Sequence, residues 1–299
     1  MYEINGILLV NKPVGLTSNY FLQKIKRIYR IKKAGYVGTL DPMASGMLPL
    51  CFGEATKFSQ YIVNSKKFYQ VIGLLGVKTS TSDSFGEIIR TNTISLGIKI
   101  SKLIYVLNKF IGSVKQCPPM YSAVKYNGIP LYKYARKGKI LNRKFRDVFI
   151  SKLNLIYFDG RYFVINVYCS KGTYIRALVE DIGLCLGVDA HVVGLHRVYI
   201  DIFKKDFLVN FSDLRNKTYS ELLSYLISME CAVINFPIIY LNKDEIISLY
   251  NGKILKNKNY LIEGYFRVYN KEKNIFMGLG RLSDNGDFSV KYLFKNIDL

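Results

Sequence analysis

Residues 34–49 read AGYVGTLDPMASGMLP, and Asp41 is the one charged side chain in this stretch. The three glycines and two prolines around it argue against a regular helix or strand throughout, so the sequence predicts a shaped loop that presents a carboxylate. An aspartate before a proline is also an ordinary turn residue. Because no Lys or Arg lies between Ala34 and Lys57, the counter-charge must come from elsewhere in the chain, which favours a catalytic site.

Composition and charge favour a nucleic-acid partner. The 299 residues include 43 Lys+Arg and 22 Asp+Glu, a formal charge of +21, and 49% are hydrophobic. A chain of this kind can bury a substantial core, and we expect a large domain over residues 1–235 and a small one over 236–299. The excess of cations predicts a polyanionic partner, although codon-driven enrichment in lysine is an alternative source of part of the charge.

The cysteines and the N-terminus predict a cytoplasmic protein. The five cysteines are an odd set without a C-x-x-C pair, which argues against a disulfide framework and against a cysteine zinc site. No signal peptide and no apolar run of about 20 residues is visible, so we expect no contact with a membrane.

Periodicity predicts an α+β chain. Helical spacing follows a cap at Thr17 or Ser18, and it recurs over 101–110 and after residue 174. Short apolar or alternating runs predict strands over 6–10, 67–76 and 162–169. After about residue 237, a short helix over 244–250 and three strands at 264–269, 275–282 and 288–294 predict a small β-barrel-like module.

Residues 115–146 differ in amino-acid composition from the rest of the chain. Lysines and arginines alternate there with tyrosines and a phenylalanine, and acids are few. Rings that stack on bases and cations that meet phosphates suit nucleic acid. The alternative is an irregular surface insertion without a role in binding.

Arg176 lies in the first turn of a predicted helix, off the apolar stripe. A cation is unfavourable at a helix N-terminus, so a specific anionic partner is one explanation for it. An exposed arginine without a role is the other, and the residues alone do not decide between them.

Several reaction classes lack their residues. His191 and His196 are the only histidines, and neither a zinc motif nor a nucleotide-binding glycine loop is present. The G-x-S-x-G motif of hydrolases is also missing. Acid, base or nucleophilic chemistry by Asp41 on a nucleic acid, without metal or cofactor, is what remains.

Four motifs in order resemble those of the TruB-type bacterial tRNA pseudouridine synthases. They are GILLVNKP at 6–13, GLTS at 15–18, GTLDP with GMLP at 38–49, and CSKGTYIR at 169–176. The resemblance covers residues 6–200, and the tail is similar to the RNA-binding PUA module of that family. It implies a pseudouridine-synthase fold with a central mixed β-sheet, flanking helices and a C-terminal PUA-like module.

The resemblance also implies an activity. The expected reaction turns uridine into pseudouridine at position 55 in the T arm of tRNA, after the base is flipped out, by a single aspartate without metal or cofactor. No obligatory protein partner is expected, and the protein should be a monomer. Two alternatives stay open: a tRNA-folding helper with weak or lost catalysis, and a guide-RNA-dependent enzyme acting on ribosomal RNA.

Residue roles follow from matching motifs. Asp41 matches the essential aspartate, with attack on the sugar, attack on the base and removal of the C2′ proton all open. Arg176 matches the arginine that pairs with it and would keep it ionised, and Tyr69 matches the tyrosine that stacks on the flipped base and helps remove the C5 proton. The insertion 115–146 matches a thumb that closes on the T arm. Further positions in or near the uridine pocket are Tyr174, Leu195 and Asp83.

One expected substrate-binding position departs from the family pattern. Tyr36 stands where most relatives carry histidine, and a phenol cannot supply an imidazolium charge near neutral pH. This difference concerns the positioning of RNA more than the bond chemistry, which Asp41 and Arg176 would carry.

Overall fold

The computed structural model describes residues 4–92, 97–203, 205–256, 258 and 262–294. The strands are β1 (Gly6–Lys12), β2 (Ala34–Tyr36), β3 (Ala44–Phe52), β4 (Lys67–Leu75), β5 (Val77–Thr79), β6 (Ile88–Thr91), β7 (Gly112–Gln116), β8 (Lys125–Tyr126), β9 (Ile129–Pro130), β10 (Arg146–Phe158), β11 (Tyr162–Cys169), β12 (Ala190–Ile200), β13 (Val209–Asn210), β14 (Ile238–Leu241), β15 (Gly264–Asn270), β16 (Ile275–Leu282) and β17 (Phe288–Leu293). The α-helices are α1 (Ser18–Ile28), α2 (Ser59–Val63), α3 (Ile100–Asn108), α4 (Leu131–Ala135), α5 (Ile175–Leu186), α6 (Tyr219–Ser224) and α7 (Lys243–Tyr250).

A nine-stranded mixed sheet forms the centre of the larger part of the chain. Its order is β13-β1-β3-β12-β4-β11-β10-β7, with β2 paired to β3. The pairings β1–β13 and β3–β12 are parallel, and the others are antiparallel. The α+β architecture with a central mixed sheet, predicted above, is confirmed.

Both faces of the sheet are covered, as the alternation in β1 shows. Leu8 and Val10 contribute to one buried cluster, and Ile7 and Leu9 to another, because successive strand residues point to opposite faces. Apolar residues of three helices complete the first cluster: Phe21, Leu22 and Ile25 of α1, Leu103, Val106 and Leu107 of α3, and Leu178, Val179 and Ile182 of α5. Thr17 caps α1, as expected, by accepting a hydrogen bond from the Tyr20 amide.

The stretch 34–49 is less of a loop than its glycines and prolines suggest. Its two ends are strands, and the loop is confined to residues 37–43. Pro49 lies within β3, and its carbonyl accepts a hydrogen bond from the Val37 amide at 2.9 Å. Gly46 has φ of 111°, and a Cβ there would lie 2.2 Å from the carbonyl oxygen of Arg197. Sheet pairing therefore decided the conformation, and glycine is required where β3 and β12 approach.

The segment 115–146 has little regular structure among the described residues. It contains the hairpin β8–β9 and the short helix α4, and most of its side chains are exposed. Gln116 fixes its beginning, since the side chain accepts a hydrogen bond from the Tyr174 amide at 3.0 Å. The segment thus leaves the sheet next to the start of α5.

The C-terminal part has a sheet of its own, with order β14-β15-β16-β17. The three predicted strands are present, but the prediction missed a fourth, β14, which is only four residues long and pairs in parallel with β15. Residues of α7 and of all four strands form a separate small core: Ile239, Leu241, Ile246, Leu249, Phe266, Val268, Met277, Leu282 and Phe288.

An aromatic cluster joins this module to the larger part of the chain. The fully buried ring of Phe58 lies 6.2 Å from Phe276, 6.1 Å from Tyr292 and 5.8 Å from Phe294, between ring centroids. Aromatic pairs at these distances contribute beyond simple area burial. The C-terminal module is therefore packed against the segment that leads into α2.

Replacing Phe58 by alanine should cost about 3–5 kcal/mol of unfolding free energy, because it leaves a cavity in this cluster. Urea unfolding followed by tyrosine fluorescence measures the loss. Phe145→Ala is the matched control, since that ring is 68% exposed and its removal should change the stability by less than about 0.5 kcal/mol. Equal effects of the two variants would contradict the junction described here.

Candidate active site

The Asp41 backbone is fixed by hydrogen bonds on both sides. Ser18, at the start of α1, donates from its hydroxyl to the Leu40 carbonyl and accepts from the Leu40 amide, both at 2.9 Å. The Pro42 carbonyl accepts from the Gly15 amide at 2.8 Å, and the Asp41 carbonyl from Ala44 at 3.0 Å. The turn typical of Asp-Pro is therefore present, and the side chain remains available.

Arg176 meets Asp41 from the first turn of α5. Its Nε lies 2.9 Å from Asp41 Oδ2, and its Nη1 lies 3.5 Å from Asp83 Oδ2. The guanidinium also donates to the carbonyls of Thr81 and Tyr121, each at 2.7 Å. Arg176 is only 3% exposed, so it is not the free surface arginine that the residues alone left possible. It connects the Asp41 loop, the loop after β5 and the beginning of the 115–146 segment.

A pocket of about 250 Å³ opens in front of this ion pair. Of the predicted site residues, Asp41, Tyr69, Tyr174, Arg176 and Leu195 line it. The volume lies below the roughly 300–1,000 Å³ of pockets for drug-sized ligands, which suits a ligand fragment such as one nucleobase.

The other two predicted residues lie outside the pocket lining. Asp83 is buried and supports Arg176, while its own carboxylate accepts from the Thr81 hydroxyl at 2.6 Å and the Phe85 amide at 3.0 Å. Tyr36 lies in β2, half-buried against the main core. Its predicted contact with substrate stays a prediction.

The Asp41 carboxyl retains 33% exposure, towards the pocket. Burial raises its pKa above the usual value; Arg176 opposes this, the charge of Asp83 adds to it, and Lys12 opposes it. The expected charge attraction by Arg176 is thus present, but desolvation outweighs it. An acid that retains its proton more readily than usual, beside a cation, can act as a base or a nucleophile once ionised.

Three buried cations near the pocket were not identified as site residues from the sequence. Lys12 donates to the carbonyls of Pro13 and Leu16, each at 2.8 Å. Lys67 donates to those of Val63 and Ser65, each at 2.6 Å, and lines the pocket, as does Arg197. For Arg197 a signal existed: a cation two residues after Leu195 in an apolar strand faces the same side as Leu195.

Burial lowers the pKa of both Lys12 and Lys67 from 10.5 to about 8. In the unfolded chain a lysine keeps its proton to about pH 10.4, so at these two sites the unfolded state binds more protons above pH 8, and the contribution of the two lysines to the free energy of unfolding should rise with pH. We expect each of the two lysines to contribute a slope of up to about 1.4 kcal/mol per pH unit between about pH 8 and 9.5. Urea unfolding of the wild type at three pH values measures it.

Lys67→Met should flatten that slope, whereas a methionine at Lys26 on α1 should leave it unchanged. Lys26 is a suitable control because its side chain lies on the polar side of α1. A slope in Lys67→Met equal to that of the wild type would contradict the assignment.

Within the described residues, no cluster of His, Cys, Asp or Glu could hold a metal ion. Likewise, no helix in that part of the chain is long and apolar enough to cross a bilayer.

Solved structures share this fold. The structure titled "Crystal Structure of a Cbf5-Nop10-Gar1 Complex" superposes with a TM-score of 0.70 at 25% identity, over 96% of this chain and 80% of that one. A second, an H/ACA RNP bound to a substrate RNA containing 2′-deoxyuridine, gives 0.71 at 22% identity, over 97% and 84%.

Family models identify the class. The model described as "TruB family pseudouridylate synthase (N terminal domain)" matches residues 26–175, "tRNA pseudouridylate synthase B C-terminal domain" matches 176–233, and "Pseudouridine synthase II TruB, C-terminal" matches 237–294. The fold and the family models thus define a pseudouridine synthase, which is an isomerase.

The chain belongs to the TruB family of these enzymes. A protein of Legionella pneumophila subsp. pneumophila named tRNA pseudouridine synthase B is 46% identical over 292 residues, 97% of this chain and 96% of the relative. One of the same name from Buchnera aphidicola subsp. Schizaphis graminum is 45% identical over 291 residues, 94% of this chain and 93% of the relative.

Proposed function

We propose that this protein converts uridine to pseudouridine at position 55 in the T arm of tRNA. The observation that carries the proposal is the Asp41–Arg176 ion pair at the wall of a base-sized pocket. Support comes from relatives named tRNA pseudouridine synthase B, which match over nearly the whole chain.

The reaction is an isomerisation that balances without a cofactor. The bond from C1′ to N1 of uracil breaks, the base turns, and a bond from C1′ to C5 forms. C5 then loses its proton, and N1 gains one. Asp41 starts the exchange, by attack on the sugar or base or by removal of the C2′ proton.

The other pocket residues position the base. A uridine inside a folded arm is out of reach, so the nucleotide flips into the pocket and stacks on Tyr69, which also helps to remove the C5 proton. Tyr174 and Leu195 line its other sides. Asp83 holds Arg176, and Tyr36 contacts the RNA outside the pocket.

The remaining parts of the chain bind the rest of the tRNA. Residues 1–235 form the catalytic domain, with the basic segment 115–146 as a thumb on the T arm, and residues 236–299 form the RNA-binding module. The enzyme acts as a monomer in the cytoplasm, without guide RNA or partner protein.

An unmodified tRNA transcript carrying tritium at C5 of its uridines tests the proposal. Purified protein should release tritium, and sequencing that detects pseudouridine should place it at position 55. A transcript with cytidine at position 55 is the control and should give none. Tight tRNA binding without release would favour the folding-helper alternative, and release only after a guide RNA is added would favour the guide-dependent one.

A further inference from the structure

Arg197 is the largest fully buried side chain in the described part of the molecule, at 1% exposure. It makes no ion pair there with any carboxylate. A buried arginine keeps its charge, and burying a charge without an ion-pair partner is destabilising. Lys12 and Lys67 are close enough for Arg197 to contribute to lowering the pKa of each. The destabilisation caused by burying the Arg197 charge indicates that this residue has a role that compensates for it.

The guanidinium bridges the two sides of the loop that carries Asp41. Its Nε donates to the Met47 carbonyl at 2.7 Å, and its Nη2 donates to the Gly38 carbonyl at 2.8 Å. These carbonyls belong to residues that flank Asp41 in the chain. A planar fork of donors is suited to holding two acceptors in one fixed geometry.

The same side chain reaches Tyr69. In the sheet, Arg197 is paired with Gly46 of β3 on one side and with Tyr69 of β4 on the other. The guanidinium is also close enough to Tyr69 to oppose the rise that burial causes in the pKa of its hydroxyl. It therefore contacts the Asp41 loop, lies beside the proposed stacking residue in the sheet, and lines the pocket with both.

The local sequence makes room for this arrangement. A Cβ at Gly38 would lie 3.2 Å from Arg197 Nη1, and Gly38 has φ of 71°. Gly38 thus allows both a left-handed turn and the close approach of the Arg197 guanidinium.

We propose that Arg197 is a positioning residue for pseudouridine formation, which holds the Asp41 loop and the Tyr69 ring in one fixed geometry across the pocket. The inference rests on the proposed function. Misplacement of reacting groups by about 1 Å costs on the order of 100-fold in rate, which sets the size of the effect.

Arg197→Gln should lower the single-turnover rate of pseudouridine formation about 100-fold, while tRNA affinity stays within about 3-fold of wild type. The rate of Arg197→Lys should fall between those of the wild type and Arg197→Gln, because an ammonium keeps the charge but cannot hold both carbonyls as a planar guanidinium does.

A destabilised control separates positioning from general loss of stability. Val192→Ala lies on the same strand and opens the buried core, so it should lower the melting temperature without changing the rate where the protein is folded. A double-mutant cycle with Tyr69→Phe adds a second test, since residues that act together give less than the product of the two single losses. A rate that follows stability in all variants, or fully multiplicative losses, would overturn the proposal.

Hydrogen exchange keeps this inference separate from the proposed function. Amides of residues 38–47 should exchange faster in Arg197→Gln than in Val192→Ala, whether or not the enzyme modifies tRNA. Equal exchange in Arg197→Gln and Val192→Ala would overturn the positioning role. If the wild type is inactive but the two variants differ in exchange as expected, only the proposed function is contradicted.

Discussion

Asp41→Asn should reduce pseudouridine formation by at least roughly 10⁴-fold, as removal of a group that starts a reaction does in other enzymes. Asparagine has nearly the same shape, but it can neither accept a proton nor attack as a carboxylate. Because Ser18, Gly15 and Ala44 hold the loop through its backbone, the loop should keep its conformation. Single-turnover kinetics with tritiated tRNA measure the rate.

Asp206→Asn is the matched control, an exposed aspartate away from the pocket, and should leave the rate unchanged. Affinity for tRNA should stay within about 3-fold of wild type in both variants, since the loss lies in the chemical step. More than about 1% of the wild-type rate in Asp41→Asn would mean that another group carries the chemistry.

Arg176→Met should lower the rate about 10²- to 10³-fold and move the acid limb of the rate–pH profile to higher pH. Removing the guanidinium leaves Asp41 and Asp83 without the cation between them, and the charge of Asp83 already raises the pKa of Asp41. Since the active form is the carboxylate, a higher pKa means that activity is lost at a higher pH. Rates between about pH 5 and 8 show the shift.

Arg90→Met gives the comparison, because it removes the ion pair of an exposed arginine with Asp189 outside the pocket. Its effect on rate and profile should be small. Arg176→Lys should recover part of the pH shift but little of the rate, because an ammonium cannot also serve the Thr81 and Tyr121 carbonyls. An acid limb that stays in place in Arg176→Met would show that this arginine does not tune Asp41.

Local patterns predicted the regular elements well. Alternation identified β4, helical spacing predicted α5, and the Thr17 cap marked the start of α1. The four-residue strand β14 escaped because its place depends on pairing with β15, which lies more than twenty residues further along the chain.

The candidate site was predicted only in part. The residues singled out Asp41, but they left Arg176 undecided, and their pairing came from the family resemblance, since no local rule joins positions 135 residues apart. Arg197 was missed because its neighbours depend on the register of β12 against β3 and β4. Periodicity assigns a residue to a face of a strand, and long-range pairing decides what that face meets.

The aromatic junction at Phe58 bears on how the enzyme selects among RNA molecules. Packed rings join the C-terminal module to the segment that leads into α2, so the protein sets the span between this module and the pocket. If a tRNA binds both, as the proposed function requires, a helical stem one base pair too long or too short would bring the wrong nucleotide to Asp41. Selection by length would need no reading of base identity.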